Sequence, residues 1–470
     1  MGRPEMRQPE HSFQWRSQST FVLVAAGATL SLNDFLTLPV LVGQNGGGTF
    51  LIFYTFFLFS LGMPLLMAEL MLGRLGQSDP SRSLEILASQ QKASVYWKSL
   101  GFASMLAAFI ITAMLSIIAG WSLSYSFKSL FGVYNGVTAE GVAQLFKAFV
   151  GDAERMMLWH TLFVILLMSI SAQPLKLGIE QVFRFTVPII LLILISGFVL
   201  ANFSPEFNRS VKFLLHADFS AVDAQVALLA LQRAFYTLAL GVGVMMIFGS
   251  YLPSNISIGY SAFLIIVIDL LLSIMIGLSL NTLVFDSGME PVIENQFAFR
   301  ALPYVFSQFQ YGELFGALFF LLLTLASLTT TLALVEAPVR YIQRKFEISR
   351  IKAVVYIGIV VWLFGLGAVL SYSIWSGNGF TVAFYFSDDA IRLVNNAGFH
   401  DVMVFFSSHL IQPLVALFLC VFVGWILPRS LAFNEFGPMR RFWFELWNYS
   451  IRYVTPMLIV VVALYSLGLV

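Results

Sequence analysis

About eleven stretches of this chain stay apolar for the roughly 20 residues that a helix needs to cross a bilayer, and no other feature restricts the fold as much. In hydrocarbon every backbone N–H and C=O has to be satisfied within the protein, so runs of this length form helices. They cover residues 20–42, 49–73, 99–130, 157–172, 182–203, 226–251, 258–285, 312–340, 352–375, 402–427 and 449–470, here spans 1 to 11. With 59% hydrophobic and 11% charged residues, the 470-residue chain reads as an all-α polytopic membrane protein without a soluble domain. Residues 1–19 are polar and lack the basic, apolar, small pattern of a cleaved signal, so they are expected to form a cytoplasmic tail.

Lys and Arg in the short loops orient the spans. Arg3, Arg7 and Arg16 precede span 1, and Arg74, Arg82 and Lys92 follow span 2. Arg340, Arg344, Lys345, Arg350 and Lys352 lie between spans 8 and 9, with Arg440 and Arg441 before span 11. All share one side if the N-terminus is cytoplasmic, and the plasma (inner) membrane is the expected location. The longer loops, 131–156, 204–225, 286–311 and 376–401, are then extracellular. The third carries Phe297, Phe299, Leu302 and Val305 and is expected to fold as a short lid over the outer mouth. Cys420 is the only cysteine, so neither an intrachain disulfide nor a thiolate cluster is available. A net charge of +1 gives no reason to expect a nucleic-acid partner.

Three charged residues, Asp34, Arg233 and Asp269, interrupt spans that are otherwise apolar. A membrane interior holds ionisable groups when they are paired or functional. Around Asp34, the run Gly27, Thr29, Ser31, Asn33 and Pro39 is too polar and too rich in helix-weakening residues for a lipid-facing helix. Such a segment lines a polar cavity. Span 6 has Gly241 and Gly243 at its centre, and five spans separate it from the broken span 1. That is the register of a five-plus-five inverted repeat: residues 20–203 would form the first half, 226–427 the second, with 449–470 as an added helix 11. Ordinary packing of small residues between helices is the alternative reading of the two glycines.

The run from Trp15 to Arg74, with Asn33-Asp34-Phe35-Leu36, Asn45-Gly46-Gly47-Gly48, Tyr54, Pro64, Glu69 and Gly73-Arg74, resembles the opening of the neurotransmitter:sodium symporter family. The likeness continues through Gly120-Trp121, Gly178-Ile179-Glu180, Pro188, Phe235 to Gly243, Leu302-Pro303, Ser327-Leu328-Thr329-Thr330 and Pro413, covering nearly the whole chain. Eleven spans suit the shorter prokaryotic members. The resemblance implies the LeuT-like inverted repeat with discontinuous helices 1 and 6, and uptake of a solute coupled to sodium.

It also implies site residues. The second sodium site of the family would use the carbonyls of Gly27, Leu30 and Ala326 and the hydroxyls of Thr329 and Thr330, a hard-oxygen cage suited to sodium; back-bonding of the two threonines to their own helix is the structural alternative. The first sodium site departs from the family: Asp34 and Asp269 stand where asparagines are expected, beside Thr29 and Thr237. Arg233 replaces a glutamine of the chloride position, which Tyr54, Thr237 and Ser273 otherwise match. One cation and two anions leave a charge of minus one that a proton, a sodium ion or a cationic group would complete, and chloride is not expected as a cofactor. In the substrate pocket, Leu115 replaces the tyrosine that holds a carboxylate; Ser31, Asn33, Ile111, Tyr236, Ala239, Val242, Thr330 and Leu334 complete the expected lining. The gates are altered too. Thr37 and Val404 stand at the outer ion pair and Ser12 and Arg344 at the inner one, while Trp15, Ser17 and Tyr251 remain from the inner gate. Arg233 is expected as a displaced outer-gate charge with Asp401 as a loose partner.

A sodium-driven symporter for a small organic solute, an amino acid or an amine, follows. A non-transporting receptor or accessory protein that keeps the fold is the second reading, and retention of the second sodium site argues against it. A channel lacks a ring-forming charge pattern. An enzyme is excluded in this reading: His11, His160, His216, His400 and His409 show no paired metal spacing, and no nucleophile elbow or phosphate loop is present.

Overall fold

The computed structural model describes residues 14–30, 32–221, 223–291, 297–377, 379–386, 389–436 and 441–469. Among these, nine helices are long and apolar enough to cross a membrane: Gly48–Gly76, Val95–Leu130, Ala153–Ser171, Ile179–Asn202, Ile258–Asp286, Gly312–Phe346, Arg350–Tyr372, Phe399–Ile426 and Arg441–Ser466. They correspond to spans 2–5 and 7–11. Spans 1 and 6 are each cut into shorter helices, and the fold is the all-α class anticipated from the apolar runs.

Span 1 runs as Gln18–Thr29, turns extended at Leu30, and resumes as Leu32–Leu36 and Leu38–Gln44. Pro39 sits in the first turn of the last piece, where its missing N–H breaks no helical hydrogen bond. Span 6 runs as Ala224–Thr237 and Val244–Ser250. In between, Ala239, Gly241 and Gly243 adopt φ values of 49°, 76° and 76°. Left-handed backbone at three positions within five residues cannot continue a right-handed helix.

The triple glycine has a packing reason. Gly46 and Gly47 have φ of 85° and 54°, the Gly48 N–H donates to the His216 carbonyl (3.0 Å), and a Cβ on Gly48 would lie 2.4 Å from the Leu215 carbonyl oxygen. The turn before span 2 is therefore docked on the segment after span 5, which contains a helix, Phe207–Leu215, where the sequence suggests only a polar loop. The segment expected as a lid contains two short helices, Phe297–Arg300 and Leu302–Ser307. Residues 376–401, expected as a polar loop, instead contain an antiparallel hairpin, β1 Phe380–Phe386 with β2 Asp389–Ala397. The alternation Phe380-Thr381-Val382 and the aromatics that follow favour a strand, and that composition outweighs the polarity of the flanks.

Candidate functional site

At the cut in span 1, Leu30 leaves the helix with ψ 95°, freeing its carbonyl from the helical ladder. Span 8 supplies the partner: the Thr330 hydroxyl lies 3.1 Å from that carbonyl and 3.1 Å from the carbonyl of Ala326. The Thr329 hydroxyl donates to the Ala326 carbonyl at 2.9 Å, within its own helix. Both threonines therefore back-bond to span 8, and Thr330 also bridges to the opened span 1. Four oxygens converge here, from Leu30, Ala326, Thr329 and Thr330, all four residues being buried. Gly27 lies one turn earlier, and a Cβ there would be 2.5 Å from Val187 of span 5. The set is neutral, oxygen-only and compact, which fits a hard monovalent cation.

On the other side of the break, the Arg233 guanidinium makes a direct ion pair with Asp34 Oδ1 through Nη2. Thr237 Oγ1 donates to the same carboxylate oxygen at 3.4 Å, and Tyr54 donates to Asp269 Oδ2 at 3.4 Å. All three charged residues are buried, Asp34 completely. Among the described residues, Asp269 Oδ1, Ser273 Oγ and Arg233 Nε have no hydrogen-bond partner. The guanidinium therefore sits on one carboxylate and leaves the other to hydroxyls. Two buried groups of opposite sign offset much of each other's desolvation, whereas a lone carboxylate calls for a proton or a small cation. Arg233 does not reach for Asp401 as a displaced outer gate: Asp401 accepts from the Gly398 N–H (3.2 Å) and faces His400 (3.4 Å).

Of the expected pocket lining, Ser31 and the Asn33 side chain lie outside the described residues. Val242, Thr330 and Leu334 are buried, and Ile111, Leu115, Tyr236 and Ala239 are half-buried against the core. Tyr236 turns its hydroxyl away, donating to the Ser408 carbonyl (3.0 Å) and meeting Ser466 Oγ (3.2 Å), so its ring rather than its oxygen is free for the pocket. Two polar side chains that sequence reasoning leaves without a role hold the break of span 6. Glu69 accepts from the Gly241 N–H at 2.6 Å, and Gln412 donates to the Leu240 carbonyl at 2.8 Å. Each is a polar group inside an apolar span, the same signal that marks Asp34.

The end of the molecule next to Trp15 is closed by a chain of contacts. Trp15 donates its indole N–H to the Phe248 carbonyl (3.0 Å) and its backbone N–H to the Tyr251 carbonyl (3.1 Å). The Tyr251 hydroxyl donates to Glu336 (3.1 Å), and Glu336 takes both Nη atoms of Arg350 at 3.1 and 2.7 Å. Arg344, at the position expected for the inner ion pair, instead pairs with Asp79 at 2.5 Å. Ser17 caps span 1 through the Thr20 N–H (3.2 Å), while Ser12 lies outside the described residues. On the outer side, Thr37 links the two outer pieces of span 1, and Val404 is half-buried immediately before a π-helical segment, Phe405–Ile411.

Two helices broken at mid-span, an oxygen cage between spans 1 and 8 and one end closed by linked contacts are the architecture of a secondary active transporter. A model described as the sodium:neurotransmitter symporter family matches residues 13–135 and 149–469, and the chain belongs to that family. The sodium-dependent transporter YhdH of Bacillus subtilis is 29% identical over 97% of this chain and 98% of its own. A sodium-dependent transporter of Haemophilus influenzae is 28% identical, covering 96% of this chain and 98% of its own. The crystal structure of MhsT in complex with L-phenylalanine superposes with a TM-score of 0.85 at 30% identity, covering 97% of this chain and all of that one.

Proposed function

We propose that this protein is a sodium-coupled symporter that imports a small organic solute, an amino acid or an amine-like molecule, across the plasma membrane with its N-terminus in the cytoplasm. The observation that carries the proposal is the Thr330 hydroxyl bridging the freed Leu30 carbonyl to span 8 beside Ala326 and Thr329. A sodium ion bound there ties the cytoplasmic piece of span 1 to span 8. Its departure leaves that piece held mainly by the Trp15 contacts, so ion release and inward opening are linked. The solute lies between the two breaks. Ile111, Leu115, Val242 and Leu334 offer it an apolar wall, in keeping with the aromatic amino acid bound in MhsT. Arg233 takes the place of a first-site cation on Asp34, and Asp269 receives the remaining proton or cation, so chloride is not needed.

Uptake in proteoliposomes, screened across amino acids and amines with and without an inward sodium gradient, tests this. Accumulation that needs sodium and not chloride is the expected result. Solute binding with no accumulation under any gradient would move the protein to the receptor reading.

A further inference from the structure

On the membrane face of the molecule, spans 4 and 9 enclose an apolar groove of about 280 Å³, walled by Val164, Ile165 and Met168 on one helix and Val355 and Ile359 on the other. Gly358 lies in its floor without a side chain: a Cβ there would stand 2.8 Å from Met168 Cγ, so any larger residue would crowd the groove. At the outer end, Trp362 donates its indole N–H to Thr161 Oγ1 at 2.8 Å and bridges the two helices. At the other end, Arg350 Nε donates to the carbonyls of Ser171 (2.8 Å) and Gln173 (2.9 Å), holding the helix ends together. Positions 161 and 171 are separated by about 15 Å along a helix. That is half of a hydrocarbon core about 30 Å thick, the depth of one leaflet.

The end at Arg350 is basic. Lys352 precedes Val355 by three residues and Ile359 by seven, so it continues the groove-facing stripe by one turn. Lys176 is exposed in the turn that leaves span 4, and Lys345 is exposed nearby. Among the described residues neither Lys176 nor Lys352 is in an ion pair. Of the acids near this end in sequence, Glu347 is exposed, Glu336 is already held by Arg350, and Glu180, four residues after Lys176, is buried and pairs with Arg16 at 3.6 Å. The N-terminus of the 23-residue helix of span 9 adds its own partial positive charge.

We propose that this groove binds an anionic phospholipid of the adjoining leaflet, with an acyl chain between spans 4 and 9 and the phosphate at Lys176 and Lys352. Basic pockets between membrane helices suit such headgroups. A second copy of this chain is the poorer occupant, because a two-fold contact would set the lysine rows of both copies against each other. The leaflet is the inner one in the orientation proposed above, but the choice of lipid does not depend on that orientation.

Native mass spectrometry of the full-length protein in detergent, titrated with phosphatidylglycerol or phosphatidylcholine of matched chains, reads this directly. Phosphatidylglycerol is expected to bind in preference. Each lysine near an anionic group contributes about a fivefold factor, so Lys176→Gln with Lys352→Gln should weaken phosphatidylglycerol about thirtyfold and leave phosphatidylcholine unchanged. Val355→Trp, which fills the groove, should weaken both lipids. The two lysines are exposed, so their variants keep the test alive if the tryptophan variant misfolds. Equal binding of the two lipids, full binding by the lysine variant, or a dimer that Val355→Trp dissociates would each overturn the proposal. None of these readouts involves sodium or solute, so the outcome is separable from the transport reading.

Discussion

Arg233 and Asp34 show how two charges inside apolar spans support each other. Either one buried alone would be untenable, but together they form a buried pair. Removing one partner of such a pair costs about 3–5 kcal/mol, because the other charge is left without compensation. Arg233→Gln should therefore unfold at clearly lower temperature than the parent, and Arg233→Gln with Asp34→Asn should recover a large part of the loss. Strictly additive losses in thermal melts of the two single variants and the double would show that the pair is not a unit. Thr329→Ala with Thr330→Ala removes two oxygens from the cage while leaving the carbonyls. Apparent sodium affinity should fall by at least tenfold with the melting temperature in saturating solute little changed, as read by sodium-dependent binding. At this scale Asp34, Arg233 and Asp269 are legible in the sequence because charges are scarce in apolar spans. Which carboxylate the arginine chooses is not, since it depends on the relative height of spans 1, 6 and 7.

The breaks in spans 1 and 6 are readable because both contain residues that weaken a helix, but what keeps the second break open is hidden. Glu69 and Gln412 come from spans 2 and 10 and meet the exposed backbone of Leu240 and Gly241 across 172 residues of sequence in each case. Gly241 is also boxed in, since a Cβ would lie 2.6 Å from the Gln412 carbonyl oxygen. Gly136 makes a control: its φ of 69° is similarly left-handed, and nothing lies within 4 Å of the place a methyl group would take. Gly136→Ala should cost only the backbone term, about 1 kcal/mol. Gly241→Ala adds a clash with backbone that cannot swing away, so its melting temperature should fall several degrees further and solute binding should fall with it. Equal shifts for the two variants would mean that the break is loosely held. The span count is readable for the plain reason that crossing length is set by bilayer thickness. The hairpin at 380–397 escapes a reading that weighs loop length and flanking polarity above its β-branched and aromatic run.

Across the whole molecule, the two ends differ in how they are closed. One end carries the short helices Phe297–Arg300 and Leu302–Ser307, while the other, taken as the inner end in the proposed orientation, depends on the linked contacts of Trp15, Tyr251, Glu336 and Arg350, which join spans 1, 6, 8 and 9. The sequence points instead to Ser12 and Arg344 for part of this closure. Glu336 gives no signal of its own, because a single acid near the end of a long helix is easily taken for a solvated residue, whereas it is 1% exposed. Charge-assisted hydrogen bonds of this kind contribute about 1.5–3 kcal/mol each. Replacing Glu336 with leucine removes the acceptor of both Tyr251 and Arg350, so the ratio of inward-open to inward-closed protein should rise by at least tenfold. Because Cys420 is the only cysteine and is buried, Cys420→Ala with Ala25→Cys gives a single reporter on the first helix of span 1, Gln18–Thr29, where Ala25 is fully covered. Labelling by a charged thiol reagent should speed up in the Glu336→Leu background, and sodium should slow it again if it binds at the proposed Thr329 and Thr330 cage, which this substitution leaves intact. If the labelling rate stays at the parent value in the absence of sodium, Glu336 is a packing residue and the inner end is held by the Trp15 contacts alone.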